Sequence, residues 1–209
     1  MIFPESINNL IQKFSDLPTV GPKTAERYVF YLLKQNQNYL NNFSQSLQDL
    51  KKDIKICKNC FSVSYQSLCE ICANEKRSQR VICIVANTRD MITIETTKQY
   101  HGLYHVLGGL INTIENIKPS DLRINELIEK IKKNKNDKKV NQIQEIIIAL
   151  DSNLEGETTA MYLSKELNSI SNNQIKITRL ARGLPMGSNL EYADEMTIIN
   201  AFQNRTKLV

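Results

Sequence analysis

Two cysteine pairs, Cys57-x-x-Cys60 and Cys69-x-x-Cys72, separated by eight residues, constrain this chain more than any other feature. Two residues between thiols let both sulfurs of a tight knuckle face one ion. Two such knuckles complete the tetrahedral set of four thiolates that Zn²⁺ prefers. The same thiols can also form two disulfides. The opening Met1-Ile-Phe-Pro-Glu5 lacks the basic-then-apolar order of a signal peptide, and a reducing compartment favours the metal. A closed four-thiolate shell leaves no place for water, so the expected ion is structural, one Zn²⁺ per chain, replacing a core that so short a segment cannot build. The fifth cysteine, Cys83, lies in the apolar run Val81–Val85 and reads as a small buried hydrophobe.

With 209 residues, 41% hydrophobic and 23% charged, the chain suits one compact domain or two or three small ones and is not disordered. No stretch approaches the roughly 20 apolar residues of a membrane span, so the expectation is a soluble, cytoplasmic protein without a membrane partner. The net charge of +5 is no argument for nucleic acid, because Lys130–Lys139 alone holds six lysines against one aspartate. The distribution says more. Residues 1–80 carry eleven basic and seven acidic groups, whereas residues 81–209 outside that run carry ten and fourteen. A polyanion-facing front joined to a carboxylate-rich back, fit for Mg²⁺ or a basic protein surface, is the reading.

Ile7, Leu10, Ile11 and Phe14 recur at helical spacing, and Leu17-Pro-Thr-Val-Gly-Pro22 breaks the pattern. Pro22 suits the first position of a second helix with an apolar face of Ala25, Val29, Leu32 and Leu33 and a solvent side bearing Lys23 and Arg27. Residues 35–53 can extend the helical part. Val81–Val85 and Glu145–Leu150 read as parallel strands covered on both faces, with Leu103–Leu107 and Ile175–Thr178 as weaker strands. Helices are expected over Thr88–Thr97, Leu122–Lys133 and Gly156–Leu167, and an exposed Lys/Asn-rich loop over Asn134–Asn141 within the basic stretch 130–141. Alternation of strand and helix means α/β with a parallel sheet.

A hairpin ahead of a helix N-terminus, with Gly21 in it and Lys23 and Arg27 one turn apart beside it, presents amides and cations to a phosphate. A plain helical corner is the competing reading. Asp151-Ser-Asn153-Leu-Glu155-Gly-Glu157 follows a strand and opens a helix, at the edge where α/β sheets place ligands. Those carboxylates can share Mg²⁺ through water or simply offset a helix dipole. His101 and His105 read as surface or packing residues.

Taken in order, Leu17-Pro-Thr-Val-Gly-Pro-Lys-Thr-Ala-Glu-Arg27, the four cysteines, Tyr104-His-Val-Leu-Gly-Gly109, Leu154-Glu-Gly-Glu-Thr-Thr-Ala160, Ala181-Arg-Gly-Leu-Pro-Met-Gly187 and Leu190-Glu-Tyr-Ala-Asp194 resemble the RecR family of bacterial recombination mediators over nearly the whole chain. The resemblance implies an α/β multidomain chain: a helix-hairpin-helix region at 1–53 that binds DNA through Gly21, Lys23 and Arg27, a four-cysteine zinc finger at 54–77, a Toprim domain at 78–178, and a C-terminal oligomerisation segment at 179–209. It further implies a homo-tetrameric ring that binds DNA without sequence preference. With RecO, and in many bacteria RecF, such proteins help load RecA on single-stranded DNA at gaps and breaks.

Three departures bear on mechanism. The usual hairpin has Gly at Thr19. Catalytic Toprim domains carry Glu after the first strand, which is Ala86 here, and their Asp-x-Asp pair reads Asp151-Ser-Asn153. Without the general acid/base and with a thinned metal shell, phosphodiester chemistry has no agent, so no catalytic residue and no catalytic Mg²⁺ are expected. Asp151, Glu155 and Glu157 are then a residual acidic site for a basic partner such as RecO. The alternatives are a Mg²⁺-dependent nuclease or primase-like enzyme and a zinc-stabilised interaction module.

Overall fold

The computed structural model describes residues 3–136, 142–171 and 174–207. The chain divides into two compact units, Met1–Ile54 and Lys55–Val209.

The first unit is three helices: α1 (Glu5–Ser15), α2 (Pro22–Leu33) and α3 (Gln37–Asp49). Pro22 occupies the first turn of α2, where its missing N–H costs nothing. The Asn36 side chain accepts from the Tyr39 amide and so starts α3. Burial is sparse. Ala25, Val29 and Leu32 form the covered stripe of α2, and edge-to-face ring pairs Phe3–Phe30, Phe14–Tyr28 and Tyr31–Tyr39 supplement it. Leu33, expected on that stripe, is 56% exposed. It borders the 25–29–32 stripe, four residues after Val29, where the described residues of the unit leave it more than half exposed.

The second unit opens with a two-residue ladder, β1 (Lys55–Ile56) against β2 (Val63–Ser64), and the short helix α4 (Glu70–Ala73). Then come β3 (Ser78–Val85), α5 (Thr88–Thr96), β4 (Gly102–Val106), α6 (Ile124–Asn136), β5 (Glu145–Ile148), α7 (Leu154–Ser171), β6 (Lys176–Arg179) and α8 (Glu195–Gln203). The four longer strands form one parallel sheet in the order β4-β3-β5-β6. Its central strand is apolar on both sides, as its unbroken β-branched run requires. Ile82 and Ile84 face Leu127 and Ile131 of α6 and Leu163 and Leu167 of α7. Cys83 and Val85 face Met91 of α5 and the cysteine segment. Each such fully buried side chain contributes about 1.5–3 kcal/mol.

Helix α6 runs to Asn136, so the first residues of the expected Lys/Asn loop are helical, while 137–141 lie outside the described residues. Lys130, in the basic stretch and within the expected helix Leu122–Lys133, lies on the partly buried side of α6. Its place three residues after Leu127 turns it inward. Helix α7 exceeds the expected Gly156–Leu167 at both ends. Among the described residues no helix is long and apolar enough to cross a membrane.

Candidate functional site

The four cysteines converge. Cys57, Cys60, Cys69 and Cys72 place their sulfurs within 4.8 Å of one another, with Cys60 Sγ and Cys69 Sγ 3.5 Å apart. Four thiolates bound to one Zn²⁺ at about 2.3 Å stand roughly 3.8 Å apart, so the donor set fits such an ion. Local backbone prepares it. The Phe61 amide donates to the Cys57 carbonyl at 2.9 Å and closes the first knuckle, with Phe61 itself at φ 62°. The Cys69 amide donates to Cys57 Sγ at 3.3 Å, the Cys72 amide to Cys69 Sγ at 3.4 Å, and Ser62 Oγ lies 3.1 Å from Cys60 Sγ. N–H and O–H groups aimed at sulfur stabilise thiolate, the form that binds metal. The neighbouring Cys72 thiol pulls Cys60 down to about 5, whereas Cys72 itself is pushed up by its bond to Cys60 and by burial.

The knuckle also closes the sheet. The Val106 amide on edge strand β4 donates to the Cys60 carbonyl at 2.8 Å, so the cysteine segment covers an edge that otherwise offers unpaired amides. Phe61 stacks edge-on against His105, 5.2 Å between ring centres, and the Arg123 guanidinium lies 5.5 Å from the Phe61 ring. His105 is fully buried, its Nε2 2.7 Å from the Arg123 carbonyl, and burial pulls it down to about 4. It is a neutral packing residue, while His101 is exposed. Cys83 is buried and inert, its thiol pushed up to about 12 by burial.

From α6, Lys130 reaches the same knuckle, and its Nζ donates to the Asn59 carbonyl at 3.2 Å. Burial lowers this ammonium below its usual value, and Cys72, Cys60 and Cys57 act in the opposite direction.

In the first unit, Leu17–Val20 is a turn closed by the Val20 amide on the Leu17 carbonyl at 3.1 Å. Pro18 and a left-handed Thr19 (φ 66°) occupy its centre, as a type II turn requires. Gly21 follows in extended conformation at φ −79° as the N-cap of α2, and its carbonyl accepts from the Thr24 and Ala25 amides, each at 3.0 Å. The Thr19, Gly21 and Lys23 amides make no backbone bond among the described residues. Lys23 and Arg27 are exposed on adjacent turns, and no ion pair with another described residue engages them.

At the carboxyl edge of the sheet, Ala86 directly follows β3 and is buried. Asn153, in the place of a metal-binding aspartate, uses its Oδ1 to accept from the Gly156 amide at 2.8 Å and its carbonyl to accept from Glu157 at 2.9 Å. It caps α7. A Cβ on Gly156 would collide with the Asp151 carbonyl, which is why this turn takes glycine. Asp151 is exposed and Glu155 half-buried. Glu157 is occupied: Arg179 grips it with both guanidinium nitrogens, at 2.8 and 3.2 Å, and Arg182 pairs with the same carboxylate. Among the described residues only the four cysteines bring three or more His, Cys, Asp or Glu ligand atoms within 4.8 Å of one another. Sequence reasoning missed Lys130, Arg179 and Arg182. The spacing of Lys130 from Leu127 and Ile131 was the one available signal.

Three family models match the chain: RecR helix-hairpin-helix over 7–51, Toprim domain over 80–181 and RecR C-terminal over 183–206. Among similar proteins, the recombination protein RecR of Herpetosiphon aurantiacus is 41% identical over 207 residues, covering 99% of this chain and 97% of that one. Those of Prochlorococcus marinus (strain MIT 9515) and Gloeothece citriformis are each 39% identical over 207 residues, covering 99% of this chain and 98% of theirs.

Proposed function

The chain belongs to the RecR family of recombination proteins, and on that premise we propose that its part in recombinational repair is a non-enzymatic DNA clamp. Lys23 and Arg27 carry this reading, as two cations without an ion-pair partner among the described residues, beside the free amides of Gly21 and Lys23 at a helix start. A phosphate accepts from amides and cations alike, and no base edge is involved, so binding is independent of sequence.

One hairpin neutralises too few phosphates to hold DNA at physiological salt, so several must act on one strand or duplex. Assembly into a homo-tetrameric ring answers that need. Large apolar side chains stand exposed on α3 (Phe43, Leu47) and in the C-terminal segment (Met186, Tyr192, Phe202), surfaces fit to meet other copies. The cysteine centre holds one structural Zn²⁺ per chain. The domain limits expected from sequence, after residues 53, 77 and 178, belong to the same proposal.

The Toprim edge is a scaffold in this reading. Ala86 supplies no acid or base, Asn153 is spent on capping, and two arginines neutralise Glu157. Mg²⁺ attracted there has no general base to work with. Asp151 and Glu155 are left to meet a basic surface on RecO, with RecF as a further partner. Their joint action, in the cytoplasm, is loading of RecA at single-stranded gaps and breaks.

The test is a salt-titrated binding assay on gapped DNA with Mg²⁺, comparing the native chain with Lys23→Ala/Arg27→Ala, followed by a denaturing gel. Intact DNA, with affinity that falls with salt and is lost in the double variant, is the expected result. Cut DNA would establish a Toprim enzyme instead, and equal binding by the double variant would move the contact elsewhere. A Glu155 charge reversal that leaves RecO binding intact would remove that residue from the partner surface.

A further inference from the structure

A divalent cation in a shell of four thiolates leaves a net charge of about −2, because the thiolates outweigh the ion. Buried in a small domain, that charge needs compensation. The amides of Cys69 and Cys72 and the Ser62 hydroxyl supply partial charges only. The cavity beside Cys72 also holds full charges, those of Glu75, Arg77, Lys130 and Lys133. Lys130 enters from α6, bonds to the carbonyl of Asn59 inside the first knuckle and lines, with Cys72, this cavity of about 370 Å³.

The other cations of this cavity are committed elsewhere. Arg77 pairs with Glu95 and donates to the Tyr100 carbonyl at 2.7 Å, and Lys133 lies 3.7 Å from Glu129. Among the described residues no carboxylate pairs with Lys130. A half-buried ammonium without an anionic partner is costly. Glu75 shares the cavity but forms no ion pair with Lys130 among the described residues, and the thiolate cluster lines the same cavity through Cys72.

We infer that Lys130 is the counter-charge of the metal–thiolate centre, a positioning residue that holds the ion without ligating it. It thereby ties α6, on one face of the sheet, to the metal segment that covers edge strand β4. The inference rests on the proposed zinc site, and it makes the first lysine of the basic stretch part of that site.

Chelator competition on the full chain tests it, with zinc as the probe and metal content as the readout. Outer residues of a metal site typically carry 10–100-fold in affinity, so Lys130→Met should bind zinc about 10–100-fold more weakly than the native chain. Lys130→Arg should retain native affinity, and Lys133→Met, which alters a cation of the same cavity already paired with Glu129, should be unchanged. Native-like affinity in Lys130→Met overturns the inference, because a lysine that only packs its stem is well replaced by methionine. Should that variant fail to fold, Lys130→Gln against Lys130→Arg decides, and equal affinity in those two overturns it. A native chain that takes up no zinc would instead overturn the zinc site, a distinguishable outcome.

Discussion

In the unit Met1–Ile54, Ala25, Val29 and Leu32 are the buried side chains among the described residues, whereas in the unit Lys55–Val209 one face of the sheet alone buries fourteen. The helical unit leaves Tyr31, Leu33, Leu47 and Leu50 each more than half exposed. The sheet unit adds a segment of four converging cysteines to an already continuous core. A fold with so little interior depends more on what its surface meets than one with a layered core does. In the proposed division of labour the contact with DNA falls to the thinly packed helices and rigid support to the sheet, while contacts with other copies draw on α3 and on the C-terminal segment.

Removing the metal should break this contrast with the largest effect. Structural zinc contributes on the order of 10 kcal/mol in isolated fingers, and here its segment also caps an edge strand. Cys69→Ser, or exhaustive chelation, should release the bond from the Val106 amide to the Cys60 carbonyl. Hydrogen exchange should then show Val106 losing protection by orders of magnitude while amides of α1 and α2 exchange as before. Equal loss in both units would mean that the helical unit leans on the sheet.

The second effect belongs to the sheet unit alone. His105 is neutral in the fold, held near 4 by burial, with Glu126 acting to raise it and Lys130 to lower it. Below its ordinary 6.5 the unfolded chain takes up a proton that the folded chain refuses, so stability is lost as pH falls from 6.5 towards 4. That interval corresponds to at most about 3 kcal/mol. His105→Phe should flatten this part of the stability–pH curve. Taking the difference between native and variant denaturation midpoints cancels proton uptake by the cysteines. A slope unchanged by the substitution would mean that His105 titrates freely.

These cases show where sequence carries information and where it does not. The Cys57–Cys72 spacing, the Pro22 helix start and the alternation of Val81–Val85 with helical segments are local signals, because each depends on neighbours within one turn or one strand. They located α2, α5, α6 and α7, the four-cysteine segment and the parallel sheet. The clamp of Arg179 and Arg182 on Glu157 joins residues 22 or more apart across β6 and α7, and no period announces it. Lys130 is one of six lysines in Lys130–Lys139 and composition does not single it out; only the helix phase set by Leu127 and Ile131 separates it from Lys132 and Lys133. Leu33 failed because helical periodicity marks an apolar face whether or not anything covers it.

The smallest effect lies in the hairpin, where composition and backbone disagree. Thr19 adopts φ 66°, in the left-handed region, while Gly21, the glycine just after the turn, sits at an ordinary φ of −79°. A β-branched residue in that region loses roughly 1–2 kcal/mol to contact between Cβ and backbone. Glycine relieves that contact, but its freer unfolded chain takes back about 0.5–1 kcal/mol. Thr19→Gly should therefore stabilise the helical unit by about 0.5–1 kcal/mol, read as a higher denaturation midpoint for α1–α3 with the sheet unit unchanged. Gly21→Ala is the matching control, since a Cβ there meets nothing within 4 Å. It should leave stability within about 0.5 kcal/mol and weaken DNA binding, because what glycine provides at this position is close approach of its amide to phosphate. Destabilisation by Thr19→Gly would show that the Thr19 side chain makes a contact worth more than its strain, and the thinly packed unit would then owe part of its order to the turn itself.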